Sequence, residues 1–167
     1  MKGLTIRRYK PEDAEGIAEL FENSVREIAI EEYTPEEVEA WVSYADEIEE
    51  IRHRLAEGLT LVAESGNQPV AFGQLKPVDH IAFLYTIKEY SRQGVATEIY
   101  KRLEEHAIDK GAVHLTTDAS RISKALFERL GFELECSVVE KRKGVELECF
   151  KMRKALEVNK TNQTLKT

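Results

Sequence analysis

A glycine-containing turn between an apolar run and an amphipathic segment is the feature that most constrains the fold of this chain. Residues 81–87 are almost entirely apolar and predict a buried strand. Apolar residues then recur every four positions, as on one face of a helix, at Val95, Ile99, Leu103 and Ala107. The turn between them therefore leads from a strand into a helix N-terminus, where the first amides have no intrahelical acceptor. With the small residues Gly94 and Ala96 beside those amides, the turn is predicted either to bind a diphosphate or to be an ordinary connection.

The elements around this turn occur in a distinctive order. They are followed by a helix ending near Gly111, a strand at residues 113–117 and the motif Phe127-Glu128-Arg129-Leu130-Gly131-Phe132. This order resembles the core of the GNAT N-acetyltransferase superfamily over residues 59–156. The resemblance implies one α/β domain at residues 1–156, with a mixed, mostly antiparallel sheet and helices on both faces. The polar segment 157–167 is predicted to be a disordered tail.

The resemblance also implies a cofactor site for acetyl-CoA. In this family the amides of a Gln/Arg-x-x-Gly-x-Gly/Ala turn bind the diphosphate; Gly94 and Ala96 match, whereas Ser91 replaces Gln or Arg. The implied contacts at the turn are Ser91, Arg92, Gln93, Gly94, Val95, Ala96 and Thr97. On the preceding strand, main-chain groups near Leu84, Tyr85 and Thr86 are implied to pair with pantetheine, and one N–H to face the acetyl oxygen. Ser120 stands where many members have an Asn that touches the cofactor.

The family reaction moves an acetyl group from acetyl-CoA to a primary amine, which must be neutral to attack. A base must therefore accept its proton, and a group with a pKa near working pH serves best. By the resemblance, His80 stands where several members carry a glutamate base. Its pKa is expected near the free value of about 6.5 unless Asp79 raises it. Asp79 is a second candidate, either orienting the imidazole or acting as the base, and the alternative for His80 is a strand residue that merely touches solvent.

Phe127 departs from the family pattern. Many members have a Tyr there, whose hydroxyl protonates the departing thiolate, and phenylalanine has no proton to donate. Ser120, Tyr85 or water remain as donors, or the thiolate leaves unassisted, since a thiol of pKa about 8.5 is a tolerable leaving group. By position Phe127 belongs to the cofactor site, and by residue type to the core of its helix.

Charge and composition limit the partners. The chain has 24 Lys and Arg against 31 Asp and Glu, and no apolar stretch long enough to span a bilayer. A cytoplasmic protein without direct nucleic-acid or membrane binding is expected. The histidines at positions 53, 106 and 114 lack ligand spacing, so no metal is expected. A homodimer is compatible with the sequence.

Acidic residues are concentrated in one segment. Residues 27–57 contain eleven Asp and Glu, with only Arg52 and Arg54 as Lys or Arg. They are interpreted either as solvated helix faces or as a rim that attracts a cationic amine, on a small molecule or a protein. The segment Thr34-Pro35-Glu36-Glu37 within it predicts a helix start through a capping box.

The two cysteines are predicted to be neighbours in a hairpin around residues 141–144. Pairing Lys141 with Gly144 places Cys136 opposite Cys149, on the face that carries Leu134, Val138, Val145 and Leu147. They are interpreted as small core residues, with a redox pair as the alternative.

Two other functional classes remain open at this stage. One is a non-catalytic acyl-CoA-binding or regulatory domain, favoured by Ser91 and Phe127. The other is a GNAT protein that modifies a protein or an aminoacyl-tRNA. Release of free thiol from acetyl-CoA with a panel of amines distinguishes them.

Overall fold

A computed structural model describes residues 3–157, which form a seven-stranded sheet in the order β1-β2-β3-β4-β5-β7-β6. The strands are β1 (Leu4–Arg8), β2 (Leu59–Ser65), β3 (Gln68–Leu75), β4 (His80–Thr86), β5 (His114–Ala119), β6 (Glu133–Arg142) and β7 (Val145–Ala155). The helices are α1 (Ala14–Ala29), α2 (Pro35–Val42), α3 (Ile48–Leu55), α4 (Val95–Asp109) and α5 (Lys124–Arg129). The predicted disordered tail lies outside the described residues except for Glu157.

The sheet is mixed and mostly antiparallel, as predicted. Of the strand pairs, only β4 and β5 are parallel, and they pair only where His80 and Ile81 meet Thr116 and Thr117. Beyond this point β4 continues to Thr86 and β5 to Ala119 without further pairing to each other among the described residues. The two strands therefore separate toward their C-terminal ends and leave a V-shaped gap in the sheet.

Helices cover both faces of the sheet, which confirms the second part of the fold prediction. On one face, α1 and the α2–α3 segment pack over Val62 and Phe72. On the other, α4 and α5 pack over Leu115 and Met152. The α4 stripe predicted from the sequence is buried as expected, at Val95, Ile99, Leu103 and Ala107. The predicted capping box at the start of α2 is also formed, with Thr34 and Glu37 each accepting the other's main-chain N–H.

The β6–β7 hairpin has a different register from the predicted one. Its two-residue turn is Lys143-Gly144, with φ angles of 50° and 78°, and Arg142 lies opposite Val145. A turn with positive φ at both central positions needs glycine inside it, whereas the prediction placed Gly144 just after it. Consequently Cys149 lies opposite Val138, and Cys136 lies opposite Lys151. Cys136 is exposed and Cys149 half-buried, so the prediction of two facing core cysteines is wrong.

Candidate active site

The turn before α4 presents main-chain donors to open space. Gly94 caps the helix with a φ of +81°, and a side chain there would meet no atom within 4 Å. The amides of Val95, Ala96 and Thr97 are the first three of α4 and have no acceptor within residues 3–157. The helix dipole adds positive potential at this end. The turn can therefore hold an anion through its main chain.

The side chains of the same turn mainly stabilise its own shape. The Ser91 hydroxyl donates to the Lys88 carbonyl at 2.7 Å, and the Gln93 amide donates to the Glu89 carbonyl at 2.6 Å. Arg92 is exposed and has a φ of +60°. Replacement of the family's Gln or Arg by Ser91 thus retains a side chain that stabilises the turn, and Arg92 supplies a nearby cation.

The edge of β4 that faces the gap carries polar groups that do not pair with β3. The Ile87 N–H donates to the Val70 carbonyl at 3.0 Å, so in the alternating antiparallel ladder Tyr85 also bonds to β3. The main-chain groups of Leu84 and Thr86 consequently point away from β3. The Thr86 carbonyl accepts the Ser24 hydroxyl at 3.1 Å, while the buried Thr86 hydroxyl has no partner within the described chain. This edge has the polar groups needed to bind an elongated amide-containing ligand.

His80 lies at the closed end of the gap. Its neighbour Ile81 is buried under α4, so the His80 side chain points to the α1–α3 face. Its Nδ1 lies 2.7 Å from the Thr116 hydroxyl, which is itself 3.4 Å from the Asp79 carbonyl. When the Thr116 hydroxyl donates to this carbonyl, its oxygen accepts the Nδ1–H of His80. In the tautomer with the proton on Nδ1, the Nε2 lone pair of His80 can accept a proton.

The electrostatic surroundings keep His80 neutral. Burial lowers its pKa below the usual 6.5, and the carboxylates of Asp118 and Asp79 oppose this only in part. The nearest carboxylate, Asp118, has an oxygen 3.8 Å from Nε2. The pKa of His80 was expected near the free value unless Asp79 raised it. Asp79 does act in the raising direction, but desolvation outweighs both carboxylates and the net shift is downward.

Asp79 contacts a different histidine. One of its carboxylate oxygens lies 3.4 Å from Nε2 of His114, whose buried Nδ1 has no partner within residues 3–157. The structure thus brings Asp79 next to His80 in the fold but makes Thr116 the group that orients the imidazole. Thr116 was missed from the sequence because only the parallel pairing of β4 and β5 places it beside His80.

Ser120 and Phe127 occupy different environments. Ser120 follows β5, and its hydroxyl and that of Ser123 lie 3.0 Å apart. Phe127 is only 4% exposed and packs edge-to-face on Phe132, with ring centroids 5.2 Å apart. Phe127 is a core residue in this structure, whereas Ser120 lies at the end of the strand that borders the gap.

An aromatic surface of one buried and four half-buried side chains lies on the same sheet face as His80. It consists of Tyr33, Trp41, Tyr44, Phe83 and Tyr85. Tyr85 stacks on Phe72 with centroids 5.6 Å apart, and Tyr33 packs edge-to-face on Trp41 at 5.2 Å. Burial raises the pKa of Tyr85, which stays protonated. These residues come from separate segments, so no sequence motif predicted the surface.

Arg121 ties this aromatic surface to the loop after β5. The Tyr33 hydroxyl accepts the Arg121 main-chain N–H at 2.9 Å, and the guanidinium lies 4.8 Å from the centre of the Tyr33 ring. The guanidinium also donates to the Glu32 carbonyl at 3.0 Å. The α1–α2 loop is therefore held against the loop that contains Ser120.

Many charges of the predicted acidic rim are paired within the chain. Arg26 pairs with Glu39, Lys143 with Asp46 and Lys76 with Glu57. An open groove of about 490 Å³ lies between α1, α2 and the β6–β7 turn, and its lining includes no residue of β4 or β5. The pairing favours the solvated-face interpretation for much of this segment, and the groove lies apart from His80.

Residues 3–157 also bear on membrane crossing and metal binding. No helix there combines the length and apolar character needed to cross a bilayer. That part of the chain also contains no cluster of three or more His, Cys, Asp or Glu with the geometry to bind a metal ion.

Comparison with known proteins places these features in a family. Residues 29–156 match the family model described as an acetyltransferase (GNAT) domain. The chain is 35% identical over 136 residues to the uncharacterized N-acetyltransferase YafP of Escherichia coli K12, covering 80% of this chain and 83% of that one. It is 32% identical over 75 residues to an aminoglycoside N(6′)-acetyltransferase type 1 of Acinetobacter genomosp. 13, covering 43% of this chain and 51% of that one.

Solved structures agree with this assignment. A GCN5-related N-acetyltransferase from Rhodopseudomonas palustris superimposes with a TM-score of 0.89 at 35% identity, covering 93% of this chain and 98% of that one. The PaiA N-acetyltransferase of Thermoplasma acidophilum, solved with coenzyme A, superimposes with a TM-score of 0.74 at 18% identity, covering 92% and 99%. At that identity the second likeness concerns the fold alone.

Proposed function

The chain belongs to the GNAT family of acetyl-CoA-dependent N-acetyltransferases, and on that premise we propose that it acetylates a primary amine by direct attack, with His80 as general base. The observation that carries this proposal is the position of His80, at the closed end of the β4–β5 gap with its Nδ1 held 2.7 Å from the Thr116 hydroxyl. The proposed catalytic domain comprises residues 1–156.

The residues around the gap fit acetyl-CoA. The amides of Val95, Ala96 and Thr97 and the open space at Gly94 suit the diphosphate, with Arg92 as an added cation. The outward main-chain groups of Leu84 and Thr86, together with the unpartnered Thr86 hydroxyl, suit the amides of pantetheine. When bound, acetyl-CoA supplies a thioester whose carbonyl carbon can be attacked by an amine. A β4 N–H directed into the gap then serves as donor to the carbonyl oxygen.

His80 receives the proton of the acceptor amine at Nε2. Its Nδ1–H stays on the Thr116 hydroxyl, which fixes the ring orientation and the tautomer. Once the ring is protonated, the Asp118 carboxylate, 3.8 Å from Nε2, stabilises the added charge. Thr116 is thus a positioning residue that acts through His80.

The leaving thiolate has no tyrosine donor at position 127. Phe127 is buried and carries no acidic proton. We expect the thiolate to leave unassisted or to take a proton from Ser120, Tyr85 or water, because a thiol of pKa about 8.5 does not require a strong acid. Mutation of Ser120 to Ala distinguishes unassisted departure from proton donation by Ser120. The solvent isotope effect on turnover should change in this variant only if Ser120 donates the proton.

We propose that the acceptor is a small-molecule or protein amine, cationic in solution, whose carbon body packs on the aromatic surface at Tyr33, Trp41, Tyr44, Phe83 and Tyr85. Aromatic faces bind both apolar groups and cations. Aminoglycosides belong in the test set because a relative is an aminoglycoside N(6′)-acetyltransferase. The pairing of many acidic groups by Arg and Lys argues against a polycation held by the acidic segment alone.

The test is the release of free thiol from acetyl-CoA with a panel of arylalkyl amines, polyamines, aminoglycosides and peptides, followed by mass spectrometry of the product. Acetylation of a primary amine that depends on His80 supports the proposal. Tight acetyl-CoA binding without thiol release for any amine favours the non-catalytic domain. Acetyl transfer only to a protein or an aminoacyl-tRNA favours the macromolecular acceptor. The first of these two outcomes contradicts the proposed acetyl transfer, and the second excludes a small-molecule acceptor.

A further inference from the structure

The two ends of the aromatic surface carry different charges. At the end near His80 lies the carboxylate of Asp118, one oxygen of which is 3.8 Å from the imidazole Nε2. Asp118 follows Thr117, the last β5 residue that pairs with β4, and its side chain is 40% exposed. Its second oxygen lies 3.8 Å from Lys151 Nζ. An accessible carboxylate therefore lies where the gap begins, beside the nitrogen that is proposed to accept the proton.

Arginine side chains occupy the opposite end. Because β7 runs antiparallel to β5, the start of β7 and the hairpin turn lie beyond Ala119, at the open end of the gap. There the Arg142 guanidinium lies 4.4 Å from the centre of the Tyr44 ring. On the loop after β5, the Arg121 guanidinium lies 4.8 Å from the centre of the Tyr33 ring. A ring face that already binds a guanidinium cannot bind a second cation, and the two like charges repel each other.

The positive charge at this end is only partly neutralised. Arg121 has the carboxylate of Glu148 at 3.5 Å. Arg142 instead donates to the Ser43 hydroxyl at 2.9 Å and to the Ser43 carbonyl at 3.0 Å, and neither acceptor carries a charge. Glu140, two residues before Arg142 on β6, is exposed to solvent, which screens its charge. This end therefore disfavours a second ammonium group on the acceptor.

The surface between the two ends is apolar. A small cavity continues from Tyr44 and Phe83 between α1, α3 and the sheet, and within the described chain Arg54 is the only charged residue of its lining. Methylene or aryl groups gain free energy when they are buried there. An ammonium group would instead lose its hydration beside another guanidinium. The body of the acceptor is therefore expected to be apolar.

We propose that Asp118 binds the ammonium of the acceptor beside His80, and that the acceptor is a monoamine with an apolar body. This inference rests on the acetylation proposed above and names the acceptor class and the residue that binds it. The ammonium gives one proton to His80 Nε2, and the nitrogen lone pair then forms a bond to the thioester carbonyl carbon. The carbon–sulfur bond breaks with its electron pair on sulfur, and the thiolate takes up a proton as the nitrogen releases its second one.

The acceptor class is tested with heptylamine and hexamethylenediamine, which have equal length and differ only in a terminal methyl or ammonium group. In the release of free thiol from acetyl-CoA, kcat/KM should be about tenfold or more higher for heptylamine, because only the diamine brings a second cation to the arginine end. Arg142→Gln should narrow this difference, whereas Arg142→Lys, which keeps the charge, should retain it. Circular dichroism checks that each variant is folded.

The role of Asp118 is tested with Asp118→Asn. This variant should raise the KM for heptylamine about tenfold or more and leave the KM for acetyl-CoA unchanged, because the neutral amide no longer attracts the ammonium. A carboxylate that only stabilised protonated His80 would instead affect kcat. Asp109→Asn, the same exchange at the last residue of α4, is the matched control and should change neither KM.

The outcomes separate this inference from acetylation itself. Thiol release that is equal for heptylamine and the diamine, or confined to other amines of the panel, overturns the acceptor class and leaves acetylation intact. An unchanged KM for heptylamine in the Asp118→Asn protein overturns the role of Asp118. The absence of thiol release with every amine overturns the proposed acetylation, and this inference with it.

Discussion

The proposed cofactor side and the proposed acceptor side of the candidate active site are built from different kinds of groups. The cofactor side is mainly main chain: the amides that begin α4 and the free edge of β4. The acceptor side is made of side chains, such as Tyr33, Trp41 and Tyr85, brought together from distant segments. A main-chain site needs only a topology and a few small residues, so many side chains can change without losing it. A side-chain site changes whenever its residues change. Acceptor selectivity should therefore be easier to alter by substitution than cofactor binding.

The largest effect is expected from a substitution that disrupts the main-chain side of the site. Gly94→Glu should reduce acetyl-CoA affinity by about 10⁴-fold or more, because a carboxylate enters the space of the diphosphate and repels it. Isothermal titration calorimetry with acetyl-CoA measures the change. Any non-glycine residue at a φ of +81° is strained, so the protein should also lose about 1 kcal/mol of stability.

Gly111→Glu is the matched control for this change. Gly111 follows α4 with a φ of +91° and has the same open surroundings, but it lies at the opposite end of the helix. It should show a comparable loss of stability with unchanged acetyl-CoA affinity. If a folded Gly94→Glu protein binds acetyl-CoA as tightly as the Gly111→Glu protein, the turn is not the diphosphate site.

The sequence was sufficient to predict the fold because its local signals agree with the tertiary structure. The pattern of β4, the Gly94 turn and α4 fits one arrangement, in which α4 buries its apolar stripe at Val95, Ile99 and Leu103. The capping box at Thr34 marks the start of α2. The hairpin register was predicted wrongly because alternation alone allows neighbouring registers. Only the positive φ at Lys143 and Gly144 selects the observed one.

The second prediction concerns the base, where the two sides meet. His80→Ala should lower kcat by about 10²- to 10⁴-fold, since it removes general-base assistance from the chemical step. Acetyl-CoA affinity should remain nearly unchanged, because the proposed diphosphate site lies beyond the other end of β4. Steady-state kinetics and calorimetry on the same preparation measure both. A variant with wild-type turnover would make His80 a strand residue and leave Asp79 or a water relay as candidates.

The pH profile gives a separate prediction. Burial lowers the pKa of His80, so its neutral form persists to lower pH than for free histidine. The wild-type kcat/KM should therefore rise with pH through an inflection below 6.5, and above it the ionisation of His80 should add no further pH dependence. The His80→Ala profile, measured with the same amine, should lack this inflection while keeping any contribution from the amine itself. An inflection above 6.5 in the wild type contradicts the burial of His80 as the dominant influence.

Thr116 should show a smaller effect through the orientation of His80. Thr116→Val removes the hydroxyl that lies 2.7 Å from His80 Nδ1, so kcat should fall about tenfold while the KM for acetyl-CoA stays unchanged. Thr116→Ser keeps the hydroxyl and should restore most of the activity and the wild-type pH inflection. Equal losses in both variants would indicate a packing role for Thr116.

Residues such as Thr116 show why the sequence predicted only part of the site. His80 and Asp79 are adjacent in the chain, which suggested that the carboxylate orients the ring. In the fold, neighbouring strand residues point to opposite faces or different partners, and the Asp79 carboxylate meets His114 instead. The partner of His80 is Thr116 on β5, 36 positions away, and such a contact cannot be predicted from the spacing of neighbouring residues.

The smallest expected effect tests whether the acceptor side contributes a covalent group. Burial raises the pKa of the Cys149 thiol to about 11, so it is almost entirely protonated and a poor nucleophile near neutral pH. Cys136 is exposed on β6, away from the gap. Replacing both by Ala should keep kcat within about twofold and cost about 1 kcal/mol of stability, mainly from Cys149. Iodoacetamide near neutral pH should label Cys136 well before Cys149. A pre-steady-state burst of thiol release, or an acetylated Cys149 detected by mass spectrometry, would instead show that transfer proceeds through the enzyme, and the acceptor side would then supply chemistry as well as selectivity.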